Sequence, residues 1–283
     1  MTLAGRRVIV TGASRGIGAA VARELAAQGA SLVLVARDAA ALQRVSATLA
    51  GGTHRVAPLD VTDEAGWRAL VDALAGDGPV HGVVAAAGVL GPVGPAGTWG
   101  MAEFRQALEV NLLGTLLPVV VFLDALRATR GAVVAFSGGG ATAPLPRFDA
   151  YATSKAALVR LIENLAVDLA AGGVRLNCVA PGFVATDIHR ATLAAGPELA
   201  GAGYFERTRR DVETGGDPPQ LAAELTAFLL SDEAEGITGR LVSARWDPWR
   251  EPAFRERLRS DPSLARLRRI DEQFFAAVLS RPD

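Results

Sequence analysis

A tyrosine and a lysine four positions apart, Tyr151 and Lys155, are the residues of this sequence best suited to acid–base chemistry. On a helix this spacing places both side chains on one face, where they can contact the same ligand. A free tyrosine has a pKa near ~10, so the lysine cation must lower it by about two to three units before the phenol exchanges protons readily at neutral pH. The pair alone does not decide between this chemistry and a solvated helix face carrying a half-buried aromatic residue.

A glycine-rich loop follows the first apolar run of the chain. Residues 7–11 are rich in β-branched side chains, which predicts a strand, and helical periodicity begins beyond Gly18. Glycines between a strand and a helix let the backbone approach a pyrophosphate, whose charge the free amides and the positive helix end stabilise. The spacing of Gly12, Gly16 and Gly18 therefore predicts a nucleotide-binding loop, and a glycine loop without a ligand is the alternative.

The end of the second predicted strand, residues 31–36, indicates which dinucleotide binds. An acidic residue at this point binds the ribose 2′-hydroxyl of NAD, whereas Ala36 leaves space and Arg37 offers donors to the 2′-phosphate of NADP. NADP (NADPH) is therefore the expected cofactor. Arg15, inside the glycine loop, could reach the same phosphate, and the alternative for either arginine is a solvated position.

The rest of the chain alternates between short apolar runs and helical stretches, which predicts an α/β fold around a mainly parallel sheet. Pro58 puts the third strand at a sheet edge, because proline cannot donate a ladder hydrogen bond. Thr62 and Asp217 are expected to cap the helices that follow them. Strands are expected near residues 54–59, 80–87, 132–137, 174–179 and 239–243, and helices near 39–50, 62–75, 102–126, 150–171 and 217–230.

Two further polar residues and one segment are candidates for the site. Ser137 ends a strand and precedes three glycines, at the sheet edge where open α/β folds bind ligands. Asn111 lies among apolar helical residues, so it either satisfies a helix kink or is functional. Residues 187–216 have several glycines and weak periodicity, the composition of a mobile lid.

Composition restricts the class of protein. The chain has 283 residues, is 50% hydrophobic and has a formal net charge of −1, which predicts one large domain without attraction for nucleic acid or an anionic membrane. A single cysteine excludes an intrachain disulfide framework, and no signal-peptide core precedes the first strand, so a cytoplasmic location is expected. The apolar stretch 112–123 is too short to span a bilayer. The histidines match no zinc-ligand spacing, so no metal site is expected.

Together these motifs resemble the short-chain dehydrogenase/reductase family over residues 4–243. The resemblance implies a single Rossmann-type, doubly wound sheet of seven parallel strands in the order 3-2-1-4-5-6-7, with helices on both faces. It implies hydride transfer between a nicotinamide and the carbon of a small-molecule carbonyl or alcohol, in a homodimer or homotetramer. The motifs that carry it are Thr11 to Gly18, Asn111, Ser137, Tyr151 with Lys155, and Pro181-Gly182 with Thr186.

The resemblance also implies roles for individual residues. Tyr151 is expected to protonate the substrate carbonyl, while Lys155 lowers the tyrosine pKa and binds the nicotinamide ribose. Ser137 is expected to hydrogen-bond the substrate oxygen, and Asn111 to hold a water that connects Lys155 with solvent. Besides Tyr151, Lys155, Arg15 and Arg37, the expected cofactor-binding residues are Gly12, Ser14, Gly16, Ile17, Gly18, Asp60, Val61, Gly88, Pro181, Gly182 and Thr186.

The sequence departs from the family pattern at three places. An Asn-Asn-Ala-Gly segment is replaced by residues 85–88, Ala-Ala-Ala-Gly, which removes side-chain hydrogen bonds but no catalytic group. Ser137 lies fourteen residues before Tyr151 where thirteen is commoner, so the strict position is Gly138. Either the glycine run absorbs one extra residue, which we favour, or the serine role is lost. The strand near 239–243 lacks the family's Val-Asp-Gly-Gly-like ending.

Residues 244–283 form a C-terminal extension beyond the resemblance and beyond the catalytic domain, 1–243. A stripe of apolar residues at helical spacing predicts a helix that begins at Asp261-Pro262. The extension either packs on its own domain or crosses to a neighbouring subunit or the rim of the substrate site. Its stripe is Leu264, Leu267, Ile270, Phe274 and Val278, and its aromatic anchors are Trp246, Trp249 and Phe254.

The sequence therefore predicts an NADP(H)-dependent oxidoreductase that interconverts a ketone and a secondary alcohol. The alternative is a catalytically inactive nucleotide-binding protein, regulatory or structural, on the same fold, and the joint presence of Asn111, Tyr151 and Lys155 favours the enzyme. The substrate is not readable from the sequence. Four aromatic residues, Phe148, Phe183, Tyr204 and Phe205, indicate a partly apolar pocket, and core packing explains them nearly as well.

Overall fold

Seven strands form the central sheet of the computed structural model, which describes residues 2–269. The strands are β1 (Arg7–Thr11), β2 (Ser31–Ala36), β3 (Arg55–Pro58), β4 (Gly82–Ala85), β5 (Ala132–Phe136), β6 (Arg175–Ala180) and β7 (Arg240–Ser243). Their order is β3-β2-β1-β4-β5-β6-β7, and all neighbouring pairs are parallel. The predicted order is confirmed, with the Pro58 strand at one edge.

Helices connect the strands and cover both faces of the sheet. They are α1 (Gly16–Ala27), α2 (Ala39–Ser46), α3 (Glu64–Leu74), α4 (Met101–Leu108), α5 (Gly114–Val121), α6 (Leu123–Thr129), α7 (Asp149–Asp168), α8 (Arg190–Ala200), α9 (Ala202–Glu213), α10 (Pro219–Leu230) and α11 (Pro252–Ser260). On one face α1 packs against α10, and on the other α7 packs on β6 and against α4.

Alternating strand residues supply two apolar cores, because successive side chains of a strand point to opposite faces. In β1, Val8 and Val10 lie in the core that α1 and α10 cover, whereas Ile9 lies in the core that α3 and α7 cover. Strands that are buried on both faces read as near-continuous apolar runs, which is why the sequence predicts them well.

The helix predicted over residues 102–126 is divided in the structure. A π-helical turn, Glu109–Leu113, joins α4 to α5. Phe122 has a non-helical conformation and separates α5 from α6. Residues 101–121 together are long and apolar enough, by length and composition alone, to cross a membrane. The apolar stretch 112–123 taken from the sequence as too short to span a bilayer is therefore part of a longer helical stretch. This stretch contacts α3 and α7 within the fold, and 33% of its most apolar window is buried there.

Most other boundaries differ from the prediction by a few residues. The helix predicted over 39–50 ends at Ser46, and the strand predicted over 80–87 is limited to β4. The predicted cap of α3 is wrong by one residue, because Asp63 accepts the Gly66 amide while the Thr62 hydroxyl donates to Asp60. An acidic acceptor one residue nearer the helix thus takes the capping role.

Residues 187–216, here called the lid segment, form a 3-10 turn and two helices. The helix α8 is kinked at Gly196, and Gly201 separates it from α9. An isolated antiparallel bridge between Val184 and Gly216 joins the two ends of the segment. Of the glycines that suggested a mobile lid, Gly196 lies at the kink, Gly201 at the junction of the two helices and Gly203 in the first turn of α9.

Residues 244–269 pack on their own chain. Trp249 is 2% exposed and its ring lies 5.8 Å from that of Phe228 in α10, whereas Trp246 is 75% exposed. The Leu241 amide of β7 donates to the Ala265 carbonyl, so this part of the chain lies along the outer edge of the sheet.

The helix predicted to begin at Asp261-Pro262 is not formed in residues 262–269, which are turns and irregular backbone. Within the described residues 244–269 the extension contains one helix, α11, which precedes that point and was not predicted. Leu264 and Leu267 pack on the two cores of the domain. Ile270, Phe274 and Val278 lie outside the described residues.

Candidate active site

The glycine loop follows β1 and leads directly into α1. At Gly12 the backbone has φ +63°, and a β-carbon there would lie 2.7 Å from the Ala87 nitrogen, while one on Gly18 would lie 2.3 Å from the Gly12 carbonyl oxygen. A side chain at Gly12 would collide with the backbone that follows β4, and one at Gly18 would collide with the loop itself, so the loop can pack this closely only with glycines. The loop and the first amides of α1 therefore form a cradle that fits a dinucleotide pyrophosphate.

The predicted carboxamide residue Thr186 lies directly over this loop. A β-carbon on Gly16 would be 3.1 Å from the Thr186 methyl group. The Arg15 guanidinium donates to Asp187, 2.9 Å away, and so crosses from the glycine loop to the lid segment. The structure thus gives Arg15 a partner other than the 2′-phosphate expected from the sequence. The half-buried residues Ser14 and Ile17 complete the loop.

Arg37 lies at the end of β2, beside the end of β3. Its side chain is 73% exposed, and its Nη1 lies 3.8 Å from the Asp60 carboxylate. Hydrogen bonds from Thr62, with Arg37 adding to them, hold the pKa of Asp60 below its usual value despite partial burial. Val61 is buried against Gly114 of α5. Arg37 is thus an exposed cation at the point where a dinucleotide fold binds the adenosine ribose.

Asn111 lies on the π-helical turn and is fully buried. Its amide group donates to the Val89 carbonyl and to the Ser154 hydroxyl, and its side-chain oxygen accepts the Val89 amide. Gly88 lies between the π-helical turn and α7, because a β-carbon there would be 3.3 Å from the Asn111 oxygen and 3.7 Å from Lys155 Nζ. Asn111 therefore connects the end of β4 to α7 and satisfies its own polar atoms.

Lys155 is buried in α7, and its Nζ donates to the Phe136 carbonyl over 2.8 Å. Burial lowers the pKa of Lys155 to about 8 and raises that of the nearby Cys178 thiol to about 12. Lys155 Nζ is 5.8 Å from the centre of the Tyr151 ring. The two side chains thus share one helix face, as the spacing predicts.

The pKa of Tyr151 is shifted in the opposite direction from the one that the sequence predicts. Burial, with a smaller effect of Tyr204, raises the pKa of Tyr151 well above that of a free tyrosine. The expected lowering by Lys155 is not seen, because the ammonium group is directed to the Phe136 carbonyl. Tyr151 therefore remains protonated at neutral pH in this arrangement, which is the state of a proton donor.

Gly138, and not Ser137, lies against the Tyr151 hydroxyl. A β-carbon on Gly138 would be 2.2 Å from the phenol oxygen. Ser137 is buried, its amide donates to the Val179 carbonyl, and its hydroxyl makes no hydrogen bond with any residue in the described part of the chain. The glycine at the strict family spacing is therefore the residue that faces the tyrosine.

An apolar cluster surrounds Tyr151 on the side of the lid segment. Phe148, at the start of α7, is fully buried, and its ring lies 4.6 Å from that of Tyr204 in α9. Phe183 is not part of this cluster and stacks instead on His189 at 4.0 Å. The members, here called the Tyr151 cluster, are Leu90, Val93, Leu145, Phe148, Tyr151, Ile188, Ala200, Tyr204 and Phe205.

The turn after β6 contains the predicted residues Pro181 and Gly182. Asp217 holds this turn, because its buried carboxylate accepts the Phe183 amide over 2.8 Å and pairs with Arg245. Asp217 therefore does not cap α10, whose N-cap position is taken by Pro218. The position next to a helix start suggested a cap, whereas the partner that decides the role, Arg245, lies far along the chain.

Two positioning residues have no sequence signal of their own. Ser154 accepts from Asn111 and donates to the Tyr151 carbonyl, and only its place beside Lys155 could have suggested a role. Arg147 donates to the carbonyls of Glu198 and Leu199 at the end of α8. These contacts join the catalytic helix to its surroundings. Within residues 2–269, no group of three His, Cys, Asp or Glu side chains could hold a metal ion.

Comparison with known proteins gives consistent matches over most of the chain. A family model described as enoyl-(acyl carrier protein) reductase matches residues 12–244. The L-fucose dehydrogenase of Mus musculus is 34% identical over 237 residues, which cover 83% of this chain and 85% of that protein.

Two solved structures illustrate the similarity of fold. The NAD+-bound xylitol dehydrogenase superposes with a TM-score of 0.78 at 25% identity, covering 86% of this chain and 98% of that one. A protein from Beutenbergia cavernae, described as a putative NAD(P)-dependent gluconate 5-dehydrogenase with NADP bound at low occupancy, gives a TM-score of 0.74 at 28% identity, covering 86% of this chain and 96% of that one.

Proposed function

Since the chain belongs to the short-chain dehydrogenase/reductase family of NAD(P)-binding oxidoreductases, we propose that it is an NADP(H)-dependent enzyme interconverting a ketone and a secondary alcohol. One observation carries the proposal. Tyr151 and Lys155 lie on one face of α7, and Lys155 Nζ is 3.7 Å from where a β-carbon of Gly88 would be, at the end of β4. The glycine cradle opens at this same edge of the sheet, so a nicotinamide dinucleotide held there reaches the pair.

In the reducing direction a nicotinamide dinucleotide held by the glycine loop and the first amides of α1 would supply the hydride for the carbonyl carbon. Tyr151 gives its proton to the carbonyl oxygen, so that the C=O bond becomes an alcohol. Burial keeps the phenol protonated until this transfer, and the Lys155 ammonium stabilises the phenolate that the transfer leaves once the ammonium turns towards it from the Phe136 carbonyl. Asn111 positions the Val89 backbone and Ser154, and thereby the helix that carries both groups. Oxidation of an alcohol follows the same steps in reverse.

Arg37 supports NADP as the preferred cofactor. Its guanidinium is exposed at the end of β2 and has one carboxylate within 4 Å, that of Asp60 at 3.8 Å, a distance that leaves its donors open to a phosphate. The preceding residue, Ala36, has no carboxylate to accept a ribose hydroxyl or to repel a phosphate. The NAD+-bound structure among the similar proteins makes NAD the alternative that a measurement must test.

The Tyr151 cluster supports a substrate with an apolar flank. Leu145 and Ile188 are partly exposed members of the cluster and present carbon surface on the lid side of the tyrosine. A polyol would leave hydroxyl groups without partners against such surface, which is unfavourable. A ketone or secondary alcohol that carries a ring or an alkyl chain fits this wall better.

A panel of apolar and polar ketones and secondary alcohols, measured with NADPH, NADH and their oxidised forms, tests the proposal. We expect turnover on members with an apolar flank, followed by nicotinamide absorbance, and none after Tyr151→Phe. Gly138 at the family's serine position favours one second candidate, a nucleotide-binding protein without catalysis. Tight NADPH binding with no turnover across the panel would support that candidate and contradict ours.

A further inference from the structure

The only two tyrosines of the chain, Tyr151 and Tyr204, lie in the same apolar cluster. They come from different elements, the catalytic helix α7 and the first turn of the lid helix α9. The remaining members of the Tyr151 cluster are apolar. Tyr151 and Tyr204 thus bring two phenol hydroxyls to one cluster, and Tyr204 is close enough to contribute to the raised pKa of Tyr151.

Tyr204 is held in place by two consecutive residues that precede Tyr151. Phe148 contacts its ring at 4.6 Å between centroids. Arg147, with φ +74°, donates to the Glu198 and Leu199 carbonyls, just before the junction at which α9 begins. The loop that starts the catalytic helix thus fixes the lid helix at the turn that carries Tyr204.

The Tyr204 hydroxyl makes no hydrogen bond with another residue in the range that the structure describes, although its side chain is only partly exposed. A phenol in an apolar site normally finds a hydrogen-bond partner, so this hydroxyl is available to a ligand. At the position where the family supplies a serine, Gly138 has no side chain to donate.

We propose that Tyr204 is a second catalytic residue, whose hydroxyl donates a hydrogen bond to the substrate oxygen that Tyr151 protonates. This inference rests on the proposed function. It gives the reaction the second donor that a carbonyl oxygen needs as negative charge develops on it. Desolvation raises the pKa of Tyr204, which keeps its proton in place for donation at neutral pH.

Tyr204→Phe removes the hydroxyl while it keeps the ring against Phe148, and Ser137→Ala removes the competing candidate donor. With a ketone from the panel, we expect Tyr204→Phe to lower kcat by about a hundred- to a thousandfold, as loss of one oxyanion donor does, with NADPH affinity and melting temperature unchanged. Ser137→Ala is expected to lower kcat by clearly less than Tyr204→Phe does. Wild-type kcat in Tyr204→Phe, or an equally large loss in Ser137→Ala, would overturn the proposal.

A second measurement does not depend on turnover. In Tyr151→Phe, Tyr204 is the only tyrosine, so labelling tyrosine at Cζ with a magnetic isotope gives one resonance. Addition of the same ketone to this variant with NADP+ is expected to shift that resonance, because the hydroxyl enters a new hydrogen bond. An unchanged resonance at saturating ketone would refute the role of Tyr204. The proposed function fails separately, if the wild type turns over no ketone or if Tyr151→Phe stays active.

Discussion

Gly138 and Tyr151 are so close that a β-carbon on the glycine would lie 2.2 Å from the tyrosine hydroxyl oxygen. Atoms without a bond between them do not approach to this distance, so any side chain at position 138 must displace the phenol. The neighbouring Gly139 is different, because a β-carbon there would meet only a Leu145 methyl group at 3.8 Å. The glycine run therefore contains one position that the tyrosine requires and one that it does not.

We expect Gly138→Ala to lower kcat by about a hundredfold or more, because a shift of the catalytic group by about 1 Å has this effect on a positioned reaction. Gly139→Ala makes the same chemical change one residue further and should retain at least half of the activity. Steady-state kinetics and NADPH affinity, measured side by side, test this. Equal activities of the two variants would show that Tyr151 does not act from its observed position.

Tyr151→Phe is expected to abolish turnover and to leave NADPH affinity within about twofold of wild type. The phenol acts on the substrate, and its ring, which fills the Tyr151 cluster, is retained. Lys155→Ala should impair both properties, since Lys155 is expected to bind the nicotinamide ribose as well. Substantial turnover in Tyr151→Phe would mean that another group is the acid.

Arg37→Ala is expected to weaken NADPH binding by about ten- to a hundredfold and to change NADH binding little, because one charge-assisted hydrogen bond is worth roughly 1.5–3 kcal/mol. Arg44→Ala, on the exposed side of α2, removes the same charge away from the end of β2 and is the matched control. Dissociation constants of NADPH and NADH for the wild type and both variants test this prediction. Equal weakening of NADPH and NADH in Arg37→Ala would contradict the NADP preference.

Because Lys155 is buried, the free energy of unfolding depends on pH in a defined direction. Its pKa is lowered to about 8 from 10.5, so between these values the unfolded chain binds more protons than the folded one. The folded state of the wild type therefore gains stability as pH rises through this window. Relative to Lys155→Met, the gain should approach about 3 kcal/mol between pH 7 and 10.5. Denaturant unfolding of both proteins measures it, and a constant difference across the window would disprove it.

Trp249→Ala is expected to destabilise the protein by roughly 3–5 kcal/mol, because it empties a buried indole site beside Phe228. Trp246→Ala is the control, since that ring is 75% exposed, and it should change stability by less than about 1 kcal/mol. Urea unfolding tests the pair. Similar effects of both substitutions would argue against the packing of residues 244–249 on α10.

The features that the sequence predicted well depend on neighbours in the chain. The shared face of Tyr151 and Lys155 follows from helix geometry, and the cradle at Gly12 follows from a strand, a turn and a helix in direct succession. The sheet order followed from the family resemblance. These relationships need no knowledge of distant parts of the molecule.

The features that the sequence did not predict depend on partners far along the chain. Asp217 has the position of a helix cap, and only its contacts with Phe183 and Arg245 show that it holds the turn after β6. Arg15 meets Asp187, which lies 172 residues away. The pKa of Tyr151 depends on how deeply the folded chain buries it and on where Lys155 points. No local spacing rule contains this information.

The two outer strands of the sheet are both closed to further strands. At one side β3 has four residues and ends with Pro58, which has no amide proton to offer. At the other side the Leu241 amide of β7 is already bonded to Ala265. A second molecule therefore has few free backbone amides and carbonyls with which to pair a further strand. Deletion of residues 261–269 would expose the outer edge of β7. We expect a protein with this deletion to fold, to self-associate and to aggregate when it is concentrated.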